Sequence, residues 1–202
     1  AAVHHVRRGH DIRAGFDGLA HGRLVRETEL RQINERAGAK VMAVSFRVDS
    51  APACFRTAEK LADKYDLNLA IHNHGPEDPL YPTPRSVYDR VKDMDPRIGM
   101  CLDIGHCQRA GIDPAAAAED CAPRLLDVHL KDVTAPTKEG TYLEIGRGVI
   151  DVPRFLRALL KLGFRGTARA QRILLLIELH ARLACLDARL CKRHVGVVTE
   201  RE

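Results

Sequence analysis

No run of the 202 residues is apolar over a membrane-spanning length, which argues against a spanning helix. No stretch has the build of a signal peptide, and the first residue is Ala rather than Met. The sequence is therefore expected to be soluble and to be a piece of a longer chain. The six cysteines (Cys54, Cys101, Cys107, Cys121, Cys185 and Cys191) form no Cys-x-x-Cys pair and no even framework. Free thiols in a reducing cytoplasm follow from that pattern. Cys101, inside an apolar stretch, reads as a small buried hydrophobe.

A basic stripe at a working site is missing as well. The net charge is +5, but residues 1–40 hold eight Lys and Arg against five Asp and Glu, and residues 164–202 hold eight against four. The middle of the chain therefore sums to about −2, whereas a nucleic-acid binder carries its basic excess where it works. The charge argues against a nucleic-acid partner.

The length suits one domain with a sizeable core. Residues 1–28 lack both helical and strand periods and read as a loop-rich, poorly ordered flank, with His4 and His5 in an exposed basic segment. Residues 29–170 alternate regularly. Glu29 to Ala37 has helix-forming composition before Gly38. Strands are predicted at 41–47, 68–73, 98–103 and 125–131. Helices are predicted from Ala51 to Tyr65, from Thr83-Pro84 to about Met94, over Ala115 to Cys121, and from Asp151-Val-Pro153 through Leu162. Phe164 to Ala170 is a candidate fifth strand. Residues 171–202 turn Leu- and Arg-rich, and the spacing of Leu183, Leu186 and Leu190 predicts a helix.

Repeated strand–helix units imply an α/β fold of parallel strands with right-handed crossovers. The strand phases agree with one another. Leu69 and Ile71 oppose Ala70 and His72; Met100 and Leu102 oppose Cys101 and Asp103; Val128 and Leu130 oppose Asp127, His129 and Lys131. A fully buried strand is apolar on both faces, so polar groups recurring on one face of three successive strands argue for a shared interior site.

Asp103 ends an apolar run, a Gly follows, and His106 stands three residues on, which sets a hard oxygen and an imidazole where a strand opens into a loop. A strand-ending Asp also caps the turn that follows, so this pair alone leaves both roles open. His72 and His74 are open in the same way, since either can bond a neighbouring strand end. Lys131 and Asp132 read as a structural ion pair.

Taken together, His72-Asn-His74-Gly75, Asp103-Ile-Gly-His106, His129-Leu-Lys-Asp132 and Glu144-Ile-Gly-Arg147-Gly148-Val-Ile-Asp151 resemble the xylose-isomerase-like TIM barrels. That group spans sugar phosphate isomerases and epimerases and is related to endonuclease IV and inosose dehydratase. The resemblance covers residues 38 to 167 and implies a divalent metal at the barrel mouth. Asp103 and His129 match the family's metal ligands, with His72 the candidate third. His106 and Arg147 match positions that contact substrate oxygens, and His74 joins them as a candidate. The implied activity is isomerisation or epimerisation of a sugar phosphate, sugar or inositol-derived ketone through an enediolate. A cation chelating both substrate oxygens stabilises such a species as a Lewis acid. Imidazole and carboxylate ligands suit Mn²⁺, Zn²⁺ or Co²⁺, and added carboxylates tilt the choice toward Mn²⁺ or Mg²⁺.

Departures from the family's pattern are equally plain. Its middle-strand Glu falls where this chain has His72-Asn73-His74. The strand end after Gly163-Phe-Arg-Gly166 reads Thr167-Ala-Arg-Ala-Gln171, leaving Glu178 as the candidate for proton transfer. A barrel of this kind needs about 250 residues, so the expectation is an incomplete barrel lacking its first strands. Such a chain is expected to self-associate through open sheet edges and to have low activity. Two alternatives stay open: an endonuclease IV-like phosphodiesterase, which would need about three metal ions, and a non-catalytic remnant of a barrel.

Overall fold

A computed structural model describes residues 14–16, 41–46, 52–170 and 196–199. Nine strands are numbered in chain order: β1 (Ala14–Phe16), β2 (Val41–Phe46), β3 (Asn68–His72), β4 (Ile98–Asp103), β5 (Leu125–Leu130), β6 (Asp132–Val133), β7 (Tyr142–Leu143), β8 (Thr167–Ala170) and β9 (Gly196–Thr199). Seven of them form one sheet in the order β1-β2-β3-β4-β5-β8-β9, and every pairing is parallel. Neighbours in the sheet are thus neighbours in the chain, as in a barrel rather than a doubly wound sheet. The short β6 and β7 pair separately as an antiparallel ribbon.

The four predicted central strands are present, each within a residue or so of its expected range. The candidate fifth strand also pairs, Asp127 with Thr167 through Leu130 with Ala170. Two expectations need correction. The loop-rich flank of residues 1–28 contains β1, and the described part of the Leu- and Arg-rich segment, residues 196–199, is a strand rather than a helix. The sheet therefore has seven strands among the described residues, where sequence periodicity reached four or five. The helix expected over Glu29 to Ala37 and the Leu183 to Leu190 stripe lie outside the described residues.

The helices are α1 (Pro52–Lys64), α2 (Pro84–Val91), α3 (Ile104–Arg109), α4 (Pro114–Cys121) and α5 (Val152–Lys161). Their ends follow from local chemistry. Thr83 accepts from the Ser86 N–H while Ser86 reaches back to the Thr83 N–H, a reciprocal cap that leaves two fewer orphan donors. Asp113 and Asp151 cap α4 and α5, each followed by Pro in the first turn. Gly163 ends α5 with φ +64°, a conformation a side chain resists.

One face of each helix is apolar at helical spacing. Phe55, Ala58 and Ala62 of α1, Val87 and Val91 of α2, and Val152, Phe155 and Leu159 of α5 are buried against Leu69, Ile71, Met100, Leu102, Val128 and Leu130. The strand residues in that core are those the alternation assigned to the helix side. The opposite phase carries the polar groups, and all six residues of β4 are buried.

Candidate metal and substrate site

Asp103 is fully buried at the end of β4, and its two oxygens have different work. Oδ1 accepts the His106 N–H at 2.9 Å and so caps α3. Oδ2 lies 3.0 Å from His72 Nε2, 2.6 Å from Lys131 Nζ and 3.8 Å from His129 Nδ1. The capping role left open by the sequence is thus filled by Oδ1, and Oδ2 is left facing His72, Lys131 and His129. Asn73 fixes its backbone: the amide oxygen accepts the Asp103 N–H at 2.9 Å and the amide nitrogen donates to the Asp103 carbonyl at 3.1 Å. Asn73 is wholly buried, and this clamp between β3 and β4 was missed in the sequence because Asn in a turn-like run signals only a turn.

The sheet register explains the convergence. Asp103 stands opposite His129 and His72 opposite Cys101, so the three strand ends meet on one face. The His72 and His129 rings are 4.7 Å apart, and His72 lies 4.8 Å from His74 and 5.6 Å from His106. His129 is flanked by two carboxylates, with Nε2 3.9 Å from Asp127 Oδ2. His74 lies 3.7 Å from Asp78. Among the described residues, ligand atoms of His72, Asp103 and His106, and separately of His72, Cys101 and His129, lie within 4.8 Å of one another.

Burial alone would raise the Asp103 carboxyl, but the Lys131 ammonium, the His72 hydrogen bond and the nearby imidazoles hold it well below the usual carboxylate range. Burial also governs His106, which is pulled down to about 4, with Lys131, His72 and His74 adding to the effect and Asp103 opposing it. His106 is therefore a neutral imidazole near pH 7, able to donate from one nitrogen and accept at the other. The Tyr142 hydroxyl lies 3.1 Å from its Nδ1.

Lys131 and Asp132 do not form the expected pair, because consecutive strand-end residues point to opposite faces. Lys131 is buried against Asp103, with its ammonium 5.2 Å from the centre of the Tyr142 ring. Asp132, fully buried, accepts four backbone N–H groups, from Val133, Gly146, Gly148 and Ile150. It thereby folds the 144–150 loop against β6, while the pairing of Val133 with Tyr142 sets the Tyr142 hydroxyl beside His106. Gly148 is required there, since a Cβ would come within 2.2 Å of Asp132 Oδ1. Arg109 bridges Glu77, the Lys138 carbonyl at 2.6 Å and the Tyr142 hydroxyl at 3.4 Å, holding neighbouring loops together.

Of the residues singled out in the sequence, His72, His74, Asp103, His106 and His129 are brought together. Arg147 is not among them: its side chain is 67% exposed and its ion pair goes to Glu144 at 3.6 Å. Glu178 lies outside the described residues.

The donors on either side of Asp103 Oδ2 have the spacing a divalent ion asks for. A tetrahedral ion held at about 2.1 Å needs donors about 3.4 Å apart. The 3.0 and 3.8 Å separations around Asp103 Oδ2 bracket that value.

Residues 47–170 match the family model described as xylose isomerase-like TIM barrel. The chain is 30% identical over 124 residues to the rhizopine catabolism protein MocC of Rhizobium meliloti, a match spanning 54% of this chain but 37% of that protein. Among solved structures, a D-tagatose 3-epimerase-like protein aligns with a TM-score of 0.59 and 21% identity, over 82% of this chain and 67% of that one. The IOLI protein with a bound zinc atom aligns with a TM-score of 0.57 and 18% identity, over 71% of this chain and 57% of that one. These structural likenesses show the fold. No helix among the described residues is long and apolar enough to cross a membrane.

Proposed function

The chain belongs to the xylose isomerase-like TIM barrel family, and we propose that it is a metal-dependent isomerase or epimerase acting on a sugar, sugar phosphate or inositol-derived ketone. The observation that carries this reading is the convergence of His72, Asp103 Oδ2 and His129 at the ends of three adjacent strands. Asp103, His129 and His72 would hold the ion. A bound divalent ion would polarise two adjacent substrate oxygens and stabilise enediolate charge. Zn²⁺, Mn²⁺ and Co²⁺ suit one carboxylate with two imidazoles, and Mg²⁺ suits it less. The zinc bound by the IOLI protein supports the same choice.

The chain's own groups supply the rest. Neutral His106 can donate to or accept from a substrate hydroxyl, beside a Tyr142 hydroxyl that lies 3.1 Å from Nδ1 and 3.2 Å from Nε2. His74, beside His72, is a second candidate for a substrate hydroxyl. The loop gathered by Asp132 carries Arg147, which is proposed to reach an anionic or polyhydroxy substrate from the solvent side. Glu178 is proposed to move the proton.

Metal content per chain after purification without added metal tests the proposal. One ion per chain supports the isomerase reading, three an endonuclease-like phosphodiesterase, and none a barrel remnant. Asp103→Ala and His129→Ala are each expected to abolish tight binding, because an ion stripped of one of few protein ligands is under-coordinated. Unchanged stoichiometry in both variants refutes the ligand assignment. Deuterium uptake into ketoses and their phosphates in heavy water, followed by NMR, then reports proton transfer at carbon. No exchange with metal-loaded protein across such a panel counts against the reaction assigned.

A further inference from the structure

Lys131 sits where a cation is wanted. Its ammonium is 2.6 Å from Asp103 Oδ2, the same oxygen that faces His72 and His129. The side chain is only 9% exposed. Its stem passes beside Gly105, where a Cβ would come within 2.8 Å of the Lys131 Cβ, so the absence of a side chain at 105 leaves the room it needs. Its outer end lies by the Tyr142 ring.

A carboxylate oxygen has about two lone-pair directions, and His72 and Lys131 already take both at Oδ2. An ion bound there at about 2.1 Å would stand at most about 4.7 Å from the ammonium if Lys131 stayed in place. Two cations at that separation in a buried site repel strongly. His72 can give up its hydrogen bond and turn a neutral nitrogen to the ion; Lys131 has no lone pair and can only leave.

We propose that Lys131 is a tethered cation that competes with the divalent metal for Asp103 Oδ2, and that metal binding displaces its ammonium toward Tyr142 and His106. There it meets the oxygen-rich end of the substrate. This makes Lys131 a residue that weakens metal binding in the free protein and contributes a donor to substrate once the ion is seated. The inference rests on the metal reading of the same cluster.

Affinity for Zn²⁺ and Mn²⁺, measured by competition with a chromophoric chelator, tests it on the parent chain, Lys131→Met and Lys131→Arg. Lys131→Met keeps the stem beside Gly105 and Tyr142 but removes the charge, and should bind metal about tenfold or more tighter, the scale on which groups around metal ligands act. Lys131→Arg keeps the charge and should show no such gain. Unchanged or weaker binding in Lys131→Met overturns the proposal. A second measurement needs no variant: acylation of lysines in the parent chain, read by mass spectrometry, should rise at Lys131 when metal is added. The exposed Lys60 and Lys92 serve as internal references. If Lys131→Met does not fold, labelling decides, and labelling of Lys131 that stays level or falls overturns the idea. A parent chain that binds metal no more weakly than Lys131→Met sinks this inference alone, whereas no binding by either protein sinks the metal reading with it.

Discussion

The two ends of β5 are built as opposites. Just before the strand, Arg124 donates to four backbone carbonyls, those of Lys92, Met94, Asp95 and Ile98, at 2.6 to 3.4 Å. Just after it, Asp132 accepts four backbone N–H groups at 2.9 to 3.2 Å. Each is a single charge tying down a connection by its backbone. The difference lies in the neighbours. Arg124 works among neutral carbonyls, whereas Asp132 adjoins a cluster where Lys131, Asp103, four imidazoles and Asp127 share a small volume. The base spends Arg124 on carbonyls and pairs its other charges, Arg97 with Asp63 and Asp95 at 3.4 and 3.7 Å; the mouth holds groups whose bonds can be exchanged for a ligand's. In barrels of this kind conservation of structure belongs to the first end and chemistry to the second.

The largest expected effect comes from breaking the anchor at the mouth. Asp132→Ala strands four backbone N–H groups and frees the 144–150 loop, and should cost about 4 kcal/mol of unfolding free energy. Denaturant unfolding checks this. Asp132→Asn keeps an acceptor oxygen but not the charge and should fall between the two. A loss below about 1 kcal/mol in Asp132→Ala, within the range of a single neutral hydrogen bond, would mean that the loop is held by other contacts.

The pH response comes next, and it separates the ends most cleanly. In the metal-free protein His106 is held down to about 4 by burial, with Lys131, His72 and His74 adding to it, against an ordinary value of 6.5. Between those values the unfolded chain binds a proton that the folded chain does not. Stability contributed by His106 is therefore present above about 6.5 and lost as pH falls toward 4, by about 3 kcal/mol at most. The depressed Asp103 carboxyl loses its contribution only below the ordinary carboxylate range, so it leaves that window to His106. His106→Asn should flatten the slope between pH 6.5 and 4, as followed by thermal unfolding. A slope that survives intact would assign it elsewhere.

Much of this contrast was legible in the sequence, and the residues that were misread show why the rest was not. The central strands could be found because each is five or six residues long, alternates cleanly and is punctuated by Gly or Pro. β1, Ala14-Gly-Phe16, and β9, Gly196-Val-Val-Thr199, are too short to show a period and contain Gly, so they vanish into their flanks. The resemblance implied Asp103 and His129 as metal candidates, alternation put both on one polar face, and the parallel register sets them opposite each other. Lys131 was on that same face by the same count. It was lost because an adjacent acid offered a simpler partner, although neighbours along a strand point apart. Asp132 was invisible in another way: apart from Val133, its partners are backbone N–H groups 14 to 18 residues away, and sequence carries no mark of them.

A test at the base follows in size. Arg124→Ala should cost about 2 kcal/mol, less than Asp132→Ala, because several of the freed carbonyls can turn to water. Metal affinity should stay unchanged within twofold or so, since the site is at the other end of the strand. Loss of metal binding in this variant, with the fold intact by circular dichroism, would show that the two ends are coupled through β5.

The smallest effect concerns a second arginine, and the comparison with Arg124 sharpens it. The Arg124 guanidinium is spent on four carbonyls, whereas that of Arg147 is 67% exposed and has only a 3.6 Å approach to Glu144. An exposed pair of that length contributes little, so Arg147→Ala should shift unfolding free energy by less than about 0.5 kcal/mol. If Arg147 holds substrate as proposed, the same change should raise KM while leaving kcat close to the parent's, the pattern of lost uniform binding. Arg147→Lys should restore only part of the affinity, because a point charge cannot reproduce the two-pronged geometry of a guanidinium on an anionic group. Equal KM in all three proteins would leave Arg147 as a solvated end of the loop that Asp132 holds, and would move substrate recognition inward to His74, His106 and Lys131.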